Sequence, residues 1–451
     1  MVSPSRISHR VRIQGVAPRC HRLCSLAAVV VTALMTTVIG CVSPASAAVP
    51  QAGPGQWYIP QYGIDEMWET TTGKGVTVAV IDSGVDDKHE NLHGVVSKAK
   101  DFSGTHSDGT TPVGTADTIH HGTAVAGVIA GTGTGQGPTG VAPDAKILSA
   151  SMWLGSGQPE AADPSRVQAE KAIRWAIDSG ADVINMSLGW DDPSWPQSWD
   201  DAFDYAYEHD VVIVACVGNR SQGAKQAWSP ATVPGVVGVG GLNRNGHVLP
   251  GSTAPGIAVD LMAPAVDIPV PYYSGGYAQA QGCSFASPIL AGVIALIRSA
   301  HPELSADQVV AKLTSTADPV PGHDGRNDGD TQDPVVGYGK VSPVEALNSP
   351  VPQHYDKAEH ELAEWIYMHR RAEKTPSART SPHSALSLEA RPDREQDVRA
   401  SSTPLVGLSV VLGGFGVSML LVGIVIYQGI CQRRQRQEQT DTEVETEPES
   451  S

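Results

Sequence analysis

Aromatic residues are scarce: Phe, Trp and Tyr make up 5% of the 451 residues. That argues against a stacking surface for single-stranded nucleic acid. Basic residues are in deficit too, with Lys+Arg 31 against Asp+Glu 48 and a net charge of −17. Such a chain repels a phosphate backbone, which argues against DNA or RNA as its main partner. Cysteines number six. Cys20, Cys24 and Cys41 lie near the start and Cys431 near the end, leaving Cys216 and Cys283 in between. Two cysteines are no disulfide framework. No Cys/His group has zinc spacing, and no internal repeat is visible.

The two ends carry the apolar runs. Residues 1–47 hold Arg6, Arg10, Arg12, Arg19 and Arg22 with no acid, then an apolar stretch over 23–40, then Ala45-Ser46-Ala47. This is the layout of a secretory signal, with cleavage expected after Ala47. A lipobox-like Val38-Ile39-Gly40-Cys41 offers lipidation at Cys41 as the alternative. Residues 405–427 contain no charge. As a helix they would span roughly 34 Å, enough to cross a bilayer. Arg433, Arg434 and Arg436 follow, which assigns that end to the cytoplasm. Cys431 at the inner face is a candidate for palmitoylation. The bulk of the chain is thus expected outside a cell membrane, as a single-pass protein, with a cytoplasmic acidic tail over 428–451.

Between residues 76 and 349 short apolar strands alternate with helical stretches. The run 76–81 (Val-Thr-Val-Ala-Val-Ile) is continuous and β-rich, as a strand buried on both faces should be. Similar runs cover 147–151, 183–186, 211–217 and 236–239. Helices are expected over 165–178, with Ser165 as N-cap, and over 200–209. The alternation predicts an α/β fold with a mainly parallel sheet between two layers of helices. Residues 354–374 predict a polar helix with Leu362, Trp365 and Ile366 on one side. Residues 375–404, rich in Pro, Ser, Ala and Arg, read as a linker.

Open α/β sheets place ligands beyond the carboxyl ends of their strands. Asp82 stands there after the first run. His121, in His120-His121-Gly122-Thr123, opens a small-residue helix. Ser284, in Gly282-Cys283-Ser284-Phe285-Ala286-Ser287-Pro288, opens an apolar one. Singly, these read as a turn residue, a structural histidine and a cap. Together, Asp, His and Ser in this order form one of the chain orders of the serine-hydrolase triad. A serine hydroxyl becomes a nucleophile when an imidazole takes its proton, and a buried carboxylate fixes that imidazole's tautomer. The helix beginning near Ser284 aims backbone N–H groups at a developing oxyanion. Asn219, closing the run Val214-Ala215-Cys216-Val217-Gly218-Asn219, can add a side-chain donor. A lipase or esterase is disfavoured, since Ser284 lacks the Gly-x-Ser-x-Gly elbow.

These blocks resemble the signatures of the subtilisin-like serine proteases, the subtilases, over about residues 57–348. The resemblance implies an endopeptidase with Asp82, His121 and Ser284 as triad and Asn219 as oxyanion donor. It also implies that Asn185-Met186-Ser187-Leu188-Gly189 is the strand that pairs with the substrate backbone, with Ser187, Leu188 and Gly189 as one wall of the pocket for the side chain before the scissile bond and Cys216, Val217 and Gly218 opposite. An extended substrate would pair there by β-augmentation. Trp228-Ser229-Pro230 is expected to border the pocket. Gln56-Trp57-Tyr58, Gly73-Lys74-Gly75-Val76, Phe285, Gly337-Tyr338-Gly339-Lys340-Val341 and the C-terminal span resemble, more narrowly, the mycosins. That resemblance implies a type VII secretion membrane complex as partner and secreted proteins as substrates. The alternative is a structural subunit that stabilises such a complex, with proteolysis secondary or absent.

Cys283 stands where the family usually has threonine. It and Cys216 are expected as two buried free thiols, with a disulfide between them left open. The 28 residues from Ala48 to Gly75 are too short for a conventional prodomain. Trp57, Tyr58, Ile64, Met67 and Trp68 are expected to pack on the catalytic domain as an arm. No metal or cofactor is required. Residues 322–333 hold Asp324, Asn327, Asp328, Asp330 and Asp333, a density of oxygen ligands that could hold Ca2+. The EF-type spacing is missing, so a solvated acidic loop is the plainer reading.

Overall fold

The apolar run at 76–81 becomes strand β1 (Thr77–Asp82) in a computed structural model, which describes residues 49–323, 326, 327 and 331–370. The later runs become β3 (Lys146–Ser151), β4 (Val183–Met186), β5 (Val212–Cys216) and β6 (Val237–Leu242). Three further strands complete the sheet: β2 (Val96–Asp101), β7 (Leu261–Pro264) and a short β10 (Gly339–Lys340). An antiparallel pair, β8 (Ile268–Pro271) and β9 (Tyr277–Ala280), lies apart from it.

The eight strands lie in the order β10-β7-β6-β5-β4-β1-β3-β2, and every pair is parallel. From β1 the chain steps out to β2 and returns to β3. It then crosses β1 to β4 and proceeds outward on the other side. The winding therefore reverses at β1, and the crevice beyond the carboxyl ends of β1 and β4 is the topological switch point where such sheets bind ligands.

Strand residues alternate between two cores. Val78, Val80, Ile147, Val183, Val212 and Val214 face the layer that holds helices α3 (His121–Ala130) and α6 (Cys283–Ala300). Ala79, Ile81, Leu148, Ile184, Met186 and Ile213 face the layer that holds α4 (Ser165–Asp178) and α5 (Ser198–Glu208). The three-layer α/β fold expected from the sequence is the one observed. Among the described helices only α6 is long and apolar enough to cross a membrane, yet it lies buried in the core.

The stretch before β1 folds onto the first layer through α1 (Tyr58–Gln61) and α2 (Ile64–Met67). Tyr58, Ile64, Met67 and Trp68 are buried in that core, and Trp57 is partly buried against it. The indole N–H of Trp68 donates to Val141 O (2.8 Å) and that of Trp57 to Val266 O (3.0 Å). After α7 (Ala306–Ser315) and α8 (Pro343–Asn348), α9 (Ala358–His369) sets Leu362, Trp365 and Ile366 against the second core.

Two readings need correction. Ser165 is not the cap of α4; Pro164 holds that position, and the Ser165 hydroxyl accepts a hydrogen bond from Trp190 Nε1 (2.9 Å). Cys216 and Cys283 are not free thiols but a disulfide with Cα atoms 5.2 Å apart. The physical reason is that β5 ends and α6 begins at the same carboxyl edge of the sheet, although 67 residues separate the two cysteines.

The signal-like segment with Ala47 and Cys41, the linker 375–404, the apolar run 405–427 and the acidic tail with Cys431 lie outside the described residues. So do Asp324, Asp328 and Asp330. Asp333 accepts from the N–H groups of Val335 and Val336 and pairs with His323 at 3.3 Å. Among the described residues no group of three or more His, Cys, Asp or Glu could hold a metal.

Candidate active site

Asp82 ends β1 at the switch point with its carboxylate fully buried. Its Oδ1 accepts the Ser83 N–H (2.7 Å), and its two oxygens lie 3.0 and 2.9 Å from His121 Nδ1. His121 is the first residue of α3 and its side chain is 23% exposed. Burial disfavours the imidazolium, but the charge and hydrogen bonds of Asp82 outweigh it, so the pKa lies above the ordinary histidine value. The bond at Nδ1 leaves Nε2 as the nitrogen free to exchange a proton with a partner.

Small residues make this approach feasible. A Cβ at Gly122 would stand 2.4 Å from the Gly84 carbonyl oxygen, so only glycine lets α3 begin against the β1 turn. The Ser83 hydroxyl accepts the Gly122 N–H at 2.9 Å, satisfying a backbone donor in the first turn of α3.

Ser284 is the second residue of α6, behind Gly282 and Cys283. Its neighbour Phe285 sets a ring 5.6 Å from the His121 imidazole, tying the start of α6 to the pair. No hydrogen bond joins Ser284 Oγ to His121, a common state before substrate binds. Asn219 lies just past β5, nearly buried, and its Oδ1 accepts the Cys283 N–H (3.1 Å). That contact orients the amide. Nδ2 donates one hydrogen to Gln222 Oε1 (3.2 Å) and keeps a second.

The two expected walls flank this helix start. Ser187 is buried, and its hydroxyl is spent on α6 rather than on the pocket: it donates to the Ser284 carbonyl (2.8 Å) and meets Ser287 Oγ (2.9 Å). Leu188 is half-buried against the second core, and Gly189 follows it. Opposite, Cys216 is committed to the disulfide and Val217 is fully buried. Gly218 takes φ +105°, a glycine conformation. Trp228 packs on Gly189 and Gly218 alike.

Sequence reasoning missed two supporting hydrogen bonds: the Ser83 hydroxyl accepting the Gly122 N–H, and Asn185, placed only in the substrate strand, whose Nδ2 donates to Ser187 Oγ (2.9 Å). The signal that could have found Ser187's role is Pro288. Four residues after Ser284, it has no N–H to offer that carbonyl.

The Subtilase family profile matches residues 73–339. The chain belongs to the subtilase family. It is 33% identical over 327 residues to fervidolysin of Fervidobacterium pennivorans, a match covering 66% of this chain and 44% of that one. It is 37% identical over 247 residues to subtilisin DY of Bacillus licheniformis, covering 54% of this chain and 84% of that one. Among solved structures, it is similar to MycP1, described as a serine protease and an essential component of the type VII (ESX-1) secretion system. That match has a TM-score of 0.56 and 30% identity, and covers 68% of this chain and 91% of that one. The chain thus spans less than half of fervidolysin and most of MycP1.

Proposed function

We propose that this subtilase is a serine endopeptidase that cleaves proteins outside the cell membrane. The observation that carries the reading is the buried Asp82 carboxylate gripping His121 Nδ1 beside the N-terminus of the helix that bears Ser284. Ser284 Oγ attacks the scissile carbonyl carbon while His121 Nε2 takes its proton. The resulting oxyanion accepts from Asn219 Nδ2 and the Ser284 N–H. The C–N bond breaks, the imidazolium protonates the leaving amine, and an acyl-enzyme remains. Water then gives a proton to His121 and attacks the ester, and Ser284 regains its hydrogen as the acid product leaves.

Residues 1–47 would export the chain and 405–427 would anchor it, with the tail in the cytoplasm. The disulfide beside the nucleophile supports an oxidising location. Similarity to MycP1 supports a link to a type VII secretion membrane complex, with proteins or peptides as substrates. Fluorophosphonate labelling tests the nucleophile: the wild type should label and Ser284→Ala should not. Equal labelling of both overturns the assignment. Secretion supported by Ser284→Ala, compared with a full deletion, separates the peptidase from a purely structural subunit. If Ser284→Ala still secretes and only the deletion stops secretion, the scaffold is the main role.

A further inference from the structure

The space between the two strand ends flanking the nucleophile is already occupied. Gly189 lies two residues beyond Ser187, which touches Ser284, and Gly218 immediately precedes Asn219, which touches Cys283. Both glycines face Trp228. A Cβ built on Gly218 would stand 2.8 Å from Trp228 Cδ2 and 3.0 Å from Cγ; one built on Gly189 would stand 3.2 Å from Trp228 Cε3. One indole therefore touches both walls. Trp228 thus lies against the backbone at both strand ends, next to Gly189 at its Cβ and Cε3 and next to Gly218 at Cδ2 and Cγ, and takes up space between them.

The indole is not free to leave. Its Nε1–H donates to Asp191 Oδ1 (3.0 Å). Its backbone N–H donates to Val217 O (3.0 Å), and Ser229 O accepts the Trp190 N–H (2.9 Å). The segment is thus laced to both walls, and the side chain is held from its own tip as well.

We propose that Trp228 sets specificity by filling the pocket for the residue on the acyl side of the scissile bond, so that the enzyme cuts after glycine, alanine or serine and rejects large side chains. The proposal rests on the endopeptidase reading and names its substrate class. A Phe or Tyr side chain would need the space beside both glycines that the Trp228 indole takes. A methyl or hydroxymethyl group needs only the shallow space above the ring.

The test is a set of peptide p-nitroanilides that differ only in the residue before the cut bond: Gly, Ala, Leu or Phe. Wild-type kcat/KM should favour Ala over Phe by about tenfold or more. Trp228→Ala should raise the Phe rate by about tenfold or more, with fluorophosphonate labelling of Ser284 reporting that the variant is folded. The wild-type profile stands alone if that variant does not fold. Wild-type cleavage after Phe or Leu as fast as after Ala would overturn the proposal, as would a labelled W228A that gains nothing on Phe. A wild type that neither labels nor cleaves would take the endopeptidase reading down with it.

Discussion

Ser187 Oγ donates a 2.8 Å hydrogen bond to the carbonyl oxygen of Ser284. In an unbroken helix that carbonyl would accept from the N–H of residue 288, but Pro288 has none. The hydroxyl's single hydrogen fills the gap, and its two lone pairs accept from Asn185 Nδ2 and Ser287 Oγ, both at 2.9 Å. The end of β4 thereby fixes the rotation of the turn that carries the nucleophile.

Ser187→Ala should leave the Ser284 carbonyl and the Asn185 amide without partners. Each buried unpaired group costs about 1–3 kcal/mol. We expect a melting temperature lower by several degrees and a fall in kcat larger than any change in KM. Thermal unfolding and steady-state kinetics check both. A variant as stable and as fast as the wild type would show that α6 holds Ser284 unaided.

The Asp82–His121 pair predicts a pH signature. The imidazole must be neutral to accept the serine proton, and its pKa is raised, so kcat/KM should fall as pH drops through a value above 6.5. Asp82→Asn removes the raising charge and leaves burial, which lowers the pKa. The acid limb should therefore move to lower pH while the plateau drops about 10⁴-fold. Stability follows the same sign. A raised folded pKa stabilises fully below the unfolded value and is lost as pH rises through the folded one. The melting temperature lost in D82N should then be greater near pH 6 than near pH 9. An unmoved acid limb would remove His121 from the proton transfers.

Asn219 presents an amide whose oxygen is pinned by the Cys283 N–H, so its remaining N–H is set in advance. Asn219→Leu should lower turnover by about 10²–10³, the size found for removing one oxyanion donor in a subtilisin, with KM little changed. If KM rises while kcat holds, the residue acts on substrate binding instead.

Legibility in the sequence followed the physics of each element. Strands β1, β3, β4, β5 and β6 are buried on both faces and read as continuous apolar runs. The edge strand β2 is VSKAKD, half exposed, and carries no such run. Asp82, His121, Ser284 and Asn219 were legible because each stands at a strand end or helix start in a short distinctive block. The bonds of Ser83 and Asn185 were not, because the first accepts a backbone N–H 39 residues on and the second serves only to hold the Ser187 hydroxyl, which itself acts on α6 far along the chain. Sequence spacing says nothing of which strand and helix ends meet, so it does not choose between two free thiols and a Cys216–Cys283 bond.

That disulfide yields the last prediction. It joins the end of β5 to the residue before Ser284, next to the hydrogen bond from Cys283 N–H to Asn219. A cross-link over a loop of this length contributes about 2–4 kcal/mol, mainly by restricting the unfolded chain. Cys216→Ala with Cys283→Ala should therefore lower the melting temperature and slow fluorophosphonate labelling of Ser284, because the amide and the helix start would no longer be held at a fixed separation. Alkylation of the oxidised, denatured protein should find neither cysteine modified, and prior reduction should expose both. Two thiols that alkylate without reductant would return the site to a pair of free cysteines and remove the covalent tie between the oxyanion donor and the nucleophile.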